Sequence, residues 1–151
     1  MYRTTDNDTI TVGELRVRFL VEAEDSNGSA SVFECHVPAN SRMPAHHSHD
    51  GFEETIYGLE GTTTWTIDDE TVDVGPGEAV CVRRGQIHGF ENRGDIDATF
   101  LAIATPGVFG PAYFREIGDV LAASLGGPPD RAAIGEVMRR HGLTPARPAT
   151  T

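Results

Sequence analysis

Between Leu15 and Thr105 the chain is a succession of short runs that alternate apolar and polar residues, each closed by Gly, Pro, Asn or Asp. The runs fall at 15–21, 31–37, 54–59, 62–67, 70–74, 79–82, 87–91 and 98–104. Turns are expected at Asp68-Asp69, Gly75-Pro76-Gly77 and Asn92-Arg93-Gly94-Asp95, residues that tolerate tight backbone angles. Many short strands at this spacing restrict the fold to a sandwich or barrel. With 151 residues there is room for one core and no second catalytic domain.

After Pro106 the pattern changes period. Pro111 can open a helix whose apolar positions Tyr113, Phe114, Ile117, Val120, Leu121 and Leu125 recur every three to four residues. Gly126-Gly127-Pro128-Pro129 breaks it, and Asp130 can cap a second helix with Ile134, Val137 and Met138 on one face. Arg139, Arg140 and His141 sit in its last turn, where the helix dipole favours cations, and Gly142 ends it. The expectation is a β-barrel with an N-terminal strand extension over residues 1–110. Residues 111–151 should be a helical appendage packing on the barrel or on a dimer interface, with disordered last residues.

Twelve basic against 23 acidic residues leave a net charge of −11, which argues against a nucleic-acid backbone or an anionic membrane surface as partner. All twelve basic residues are arginine, so Schiff-base chemistry and a phosphate-binding loop lysine are excluded. Cys35 and Cys81 read as two buried thiols in a reducing compartment. A polar N-terminus and the lack of a long apolar stretch lead to the expectation of a cytoplasmic protein.

Four of the six histidines carry the chemistry: His46, His47 and His49 in one cluster and His88 some forty residues on. Strand side chains alternate, so His47 and His49 share a face, and Glu54 opens the next apolar run. Three imidazoles and a carboxylate converging inside a barrel would form a mixed nitrogen and oxygen site for a divalent transition metal. Parity opposes His46 as the ligand in place of His47, because it would then face away from His49. Glu53 would fit a shorter spacing than Glu54.

The run His47-Ser48-His49, four residues, Glu54, six residues, Gly61 resembles the first cupin motif, G-x5-H-x-H-x3-4-E-x6-G, with Ser41 where the leading Gly would stand. Gly77, five residues, Arg83, Arg84, Gly85, two residues, His88, three residues, Asn92 resembles the second, G-x5-P-x-G-x2-H-x3-N, with Arg83 in place of Pro. The count to Gly61 favours Glu54 over Glu53. The resemblance covers roughly residues 10–105 and implies an all-β fold, a double-stranded β-helix (the cupin jelly-roll barrel), with a short C-terminal helical appendage. It also implies that His47, His49, Glu54 and His88 bind one divalent transition metal ion per chain, drawn from Fe, Mn, Ni, Co, Cu or Zn, with Glu54 doubling as the catalytic proton acceptor. Gly61, Gly77 and Gly85 become turn positions that exploit glycine's freedom at positive φ. Phe33, Met43, Trp65, Gln86, Phe90 and Phe100 are candidates for the wall of a substrate pocket.

The resemblance is nearest to small bacterial cupins of the quercetin-dioxygenase-like group, so the first expectation is a metal-dependent dioxygenase acting on a small aromatic or enolisable molecule. A non-redox lyase, isomerase or polyketide cyclase is the second, and a small-molecule-binding barrel without turnover the third. The family habit implies a homodimer.

Overall fold

The computed structural model describes residues 1–4 and 8–147, which build two antiparallel sheets with two helices packed against them. The strands are β1 (Thr9–Val12), β2 (Leu15–Val21), β3 (Ser31–Val37), β4 (His47–His49), β5 (Glu53–Glu60), β6 (Thr63–Ile67), β7 (Glu70–Val74), β8 (Ala79–Val82), β9 (His88–Glu91), β10 (Ala98–Thr105) and β11 (Leu143–Pro145). The helices are α1 (Pro111–Ala123) and α2 (Arg131–Arg140). One sheet runs β1-β2-β3-β10-β5-β8 and the other β11-β4-β9-β6-β7.

Period-2 patterning selects the inner faces. In β3 the buried residues are Ser31, Phe33, Cys35 and Val37, and in β10 Ala98, Phe100, Ala102 and Ala104. Pairing sets Ala102 opposite Phe33 and Cys35 opposite Phe100, so a small side chain faces each ring and the layer fills without overpacking. Burying rings and branched chains such as Phe33, Phe100 and Ile56 contributes roughly 1.5–3 kcal/mol each relative to exposure.

Several turns have the backbone that the motif glycines lead one to expect: φ is positive at Gly61, Gly77 and Gly85. Gly61 is the most constrained, because a Cβ there would stand 2.5 Å from the Asp97 carbonyl oxygen. Gly61→Ala should therefore lower unfolding stability by about 1–3 kcal/mol, read by urea denaturation. Asn92 is buried; its amide nitrogen donates to the Val37 and Ile96 carbonyls at 3.0 and 2.8 Å, and its oxygen accepts from Gly94 N. At Arg83 the family's proline would be a poorer fit, since the Arg83 amide donates to Gln86 Oε1 at 2.9 Å.

α1 begins at Gly110-Pro111 and buries Tyr113 and Ile117. Gly118 lets it lie directly on β1, where any Cβ would collide with the Thr11 carbonyl oxygen. Ile117 is 1% exposed, and Val120 and Leu121 pack partly on the core, so the stripe that offered a second chain a surface closes over its own barrel. Leu125 departs from the expected helical face: α1 ends at Ala123, and Leu125 is 92% exposed with φ +50°. α2 is capped as its sequence suggests, Asp130 accepting from Ala133 N at 3.0 Å, and it buries Ile134, Val137 and Met138.

The appendage is not purely helical. After Gly142 (φ +78°) the chain forms β11, whose Leu143, Thr144 and Pro145 pair with His49, Ser48 and His47. Three residues ending in proline carry no legible period, which is why this strand escaped the sequence reading. Cys81, expected buried, is exposed on β8, an edge strand; Cys35 is buried. Among the described residues no helix is long and apolar enough to cross a membrane. The disorder expected of the last residues lies outside the described residues.

Candidate metal centre

β4 and β9 lie side by side with His47 opposite His88, and alternation along β4 places His49 on the same inner face. One ligating atom from each of His47, His49 and His88 lies within 4.8 Å of the others, and all three residues are buried. β11 pairs with the outer side of β4, and Asp50 N to Gly142 O (2.9 Å), Ala146 N to His46 O (2.9 Å) and Thr144 Oγ1 to Asp50 Oδ1 (2.7 Å) extend that clasp. The C-terminal segment thus positions the two-histidine strand.

Hydrogen bonds define the ring tautomers. His47 Nδ1 donates to the Ala45 carbonyl at 3.2 Å and His88 Nδ1 to the Gln86 carbonyl at 3.0 Å, because a carbonyl only accepts; each ring keeps an Nε2 lone pair free. His49 is fully buried, yet neither ring nitrogen has a hydrogen-bond partner. A buried polar atom left unpaired costs roughly 1–3 kcal/mol, so an imidazole in this state suits a metal ion as its missing partner. All three rings are held neutral: burial, then repulsion from neighbouring imidazoles, pulls His49 down to about 3 and His47 well below its usual value. Burial likewise brings His88 down to about 4. Neutral imidazole is the metal-binding form, so these residues fit a divalent transition metal.

Glu54 and Glu53 point to opposite sides. Glu53 is held outside by Arg84, with Nε to Oε2 at 2.7 Å and Nη2 to Oε1 at 2.6 Å, and these bonds drop its carboxyl to about 2. Glu54 is 5% exposed, opposite Ala104 and Val82 in its sheet, with Oε2 3.8 Å from His49 Nε2. It borders the three-histidine group and is not a member of it. Burial raises its pKa to about 8. His46 packs its ring over Gly89 and is not one of the three converging imidazoles.

These shifts have opposite consequences for the metal-free protein. Glu54 stays protonated when folded but ionises near 4.5 when unfolded, so its contribution is lost as pH rises toward about 8. The histidines, neutral when folded, act the other way and only below about 6.5. Between pH 6.5 and 8 Glu54 acts alone, so stability should fall over that window and the fall should vanish in Glu54→Gln, measured by urea denaturation of metal-free samples.

The centre opens onto a cavity of about 50 Å³. His47, Glu54 and His88 meet an apolar wall that includes Phe33, Met43, Trp65, Phe90 and Phe100, five of the six residues the sequence suggested. Trp65 and Phe90 pack with tilted rings at 4.8 Å between centroids, Phe90 and Phe100 meet edge to face at 5.0 Å, and Trp65 Nε1 donates to Thr63 Oγ1. Gln86 is the exception: it is absent from the wall, and its side chain closes the outer turn, bonded to Arg83 N and Asp68 Oδ2. Sequence reasoning missed Cys35 and the aromatic group Phe109, Tyr113 and Phe114 as wall residues. The helical period of Tyr113 and Phe114 marked them as buried without saying against what.

An antiparallel double sheet with three inward histidines and a buried carboxylate defines a class: small β-barrels built around a metal-competent interior site. The chain belongs to the cupin superfamily, residues 33–104 matching the cupin domain family, and its fold is the double-stranded β-helix. It is 28% identical over 117 residues to quercetin 2,3-dioxygenase of Bacillus subtilis (strain 168), a match covering 76% of this chain and 33% of that protein. The chain therefore spans about a third of the length of that curated relative. Among solved structures, the polyketide cyclase RemF from Streptomyces resistomycificus is similar with a TM-score of 0.61 and 30% identity over 77% of this chain and 91% of that one. A predicted oxalate decarboxylase from Thermotoga maritima has a TM-score of 0.63 at 23% identity, over 70% and 99% of the two chains, and shows the shared fold.

Proposed function

We propose that this protein is a metal-dependent cupin enzyme that transfers a proton at a small enolisable aromatic or polyketide-like molecule. The observation that carries the reading is Glu54, a buried carboxyl with Oε2 3.8 Å from His49 Nε2, beside three buried imidazoles in an aromatic-walled cavity. His47, His49 and His88 would hold one divalent transition metal ion per chain, with Glu54 as a further oxygen donor; such an ion supplies Lewis-acid polarisation of a substrate oxygen. The apolar wall binds the ring of the substrate and keeps water from competing for the proton. Glu54, ionised once a cation sits beside it, would take the proton.

Non-redox chemistry of the cyclase or lyase kind is favoured by the RemF likeness, which extends over most of both chains. A dioxygenase is the second reading, favoured by the similarity to the Bacillus enzyme; there Glu54 would deprotonate a flavonol or catechol hydroxyl. Aerobic and anaerobic assays of metal-loaded protein against diketones, flavonols and catechols separate the two. Turnover without oxygen supports the first reading, and oxygen-dependent turnover replaces it with the second. Saturable binding with no product from any of them would make the protein a binding barrel.

Homodimerisation belongs to the same proposal. Its support is the pair of edge strands β7 and β8, with exposed Val72 on the first, since open edges invite pairing. Sedimentation should give twice the chain mass at tens of micromolar, and a monomer there would overturn it.

A further inference from the structure

Tyr113, on the helix that closes the cavity, is 4% exposed and lines the same space as His47, Glu54 and His88. Its ring is wedged against Phe109 (4.9 Å), Phe114 (5.1 Å), His47 (6.5 Å) and His141 (5.7 Å), which leaves it little freedom to turn. His141 is in turn anchored to Glu116 of the same helix at 2.6 Å, so the contacts around the ring are tied to α1 itself. Among the described residues no side-chain hydrogen bond holds the Tyr113 hydroxyl, and, unlike the His49 ring nitrogens, its oxygen is not sealed from solvent.

The geometry points to Tyr113 as a catalytic residue whose hydroxyl donates a hydrogen bond to the substrate oxygen that becomes anionic. This rests on the enolisation reading above. In that step the C–H bond of the substrate breaks, its proton passes to Glu54, and its electron pair moves through the new C=C bond onto the carbonyl oxygen. Tyr113 keeps its proton and stabilises the negative oxygen. A donor placed before the reaction needs no reorganisation as the charge develops. The role also gives α1 a function beyond closing the barrel, since the helix delivers this donor.

The test uses the zinc-loaded protein, with benzoylacetone, a small aromatic β-diketone, as probe and its enolate absorption band as readout at pH 7. Wild type should bind the probe and raise its enolate fraction, and zinc removal should abolish the effect. Tyr113→Phe keeps the ring and its packing, so zinc content and melting temperature should be unchanged. Its affinity for the enolate should fall about 10–100-fold, the cost of one hydrogen bond to a charged group. Site-specific 3-fluorotyrosine at position 113, a stronger donor of nearly the same size, should shift binding in the opposite direction. An unchanged band and affinity in Tyr113→Phe beside a zinc-dependent band in wild type would overturn the role of Tyr113 and leave the enolisation reading intact. Loss of zinc from Tyr113→Phe would likewise overturn it, by assigning the residue to the metal. A wild type without a zinc-dependent enolate band would overturn both.

Discussion

Replacing His47 and His49 together by alanine should leave the protein unable to retain metal, with ion content after purification falling from about one per chain to background. Two of the three converging nitrogens would be gone, and His88 with Glu54 cannot close a site alone. The loss in affinity should exceed the roughly 10–100-fold typical of deleting a group that only orients a ligand. Plasma mass spectrometry of protein made without added metal, followed by calorimetric titration, reads it directly. The fold should survive, because the pair gives up a single hydrogen bond, His47 Nδ1 to the Ala45 carbonyl, and His49 gives up none. Stoichiometric metal in the double variant would refute the three-histidine centre.

Glu54→Gln is expected to lower kcat by about 10²–10⁴ while changing KM much less, since the amide keeps the shape of the carboxyl but cannot take a proton. The carboxyl lies beside the histidine group and is raised to about 8, which distinguishes it from Glu53 one residue away, ion-paired outside. Metal content should be largely retained in this variant, because the three nitrogens remain. If metal and activity disappear together, Glu54 serves chiefly as a ligand and the proton acceptor lies elsewhere.

The two variants depend on features that were legible to different degrees. Alternation along a strand is a property of the backbone, so the spacing His47-Ser48-His49 alone puts two imidazoles on one face, and the inward register of Phe33, Cys35 and Phe100 follows from the same rule. The aromatic wall was half legible: Trp65, Phe90 and Phe100 lie in strands whose parity points inward, whereas Phe109, Tyr113 and Phe114 depend on where a helix docks. Gln86 misled because parity was extended into a turn, where the side chain instead bonds the backbone beside it.

What the sequence by itself determined is therefore whatever local periodicity and side-chain chemistry decide: the strand succession, the capped second helix, the metal-competent residues and the anionic balance. Tertiary structure alone decided that β11 returns to clasp the outer side of β4, that α1 closes over its own barrel, and that Tyr113 reaches the cavity facing His47 and Glu54. The physical reason lies in contact range. A strand's face is set over two residues, but the pairing of Leu143 with His49 and the approach of Gly118 to Thr11 join segments about a hundred residues apart, and no local pattern encodes which partner a buried surface will meet.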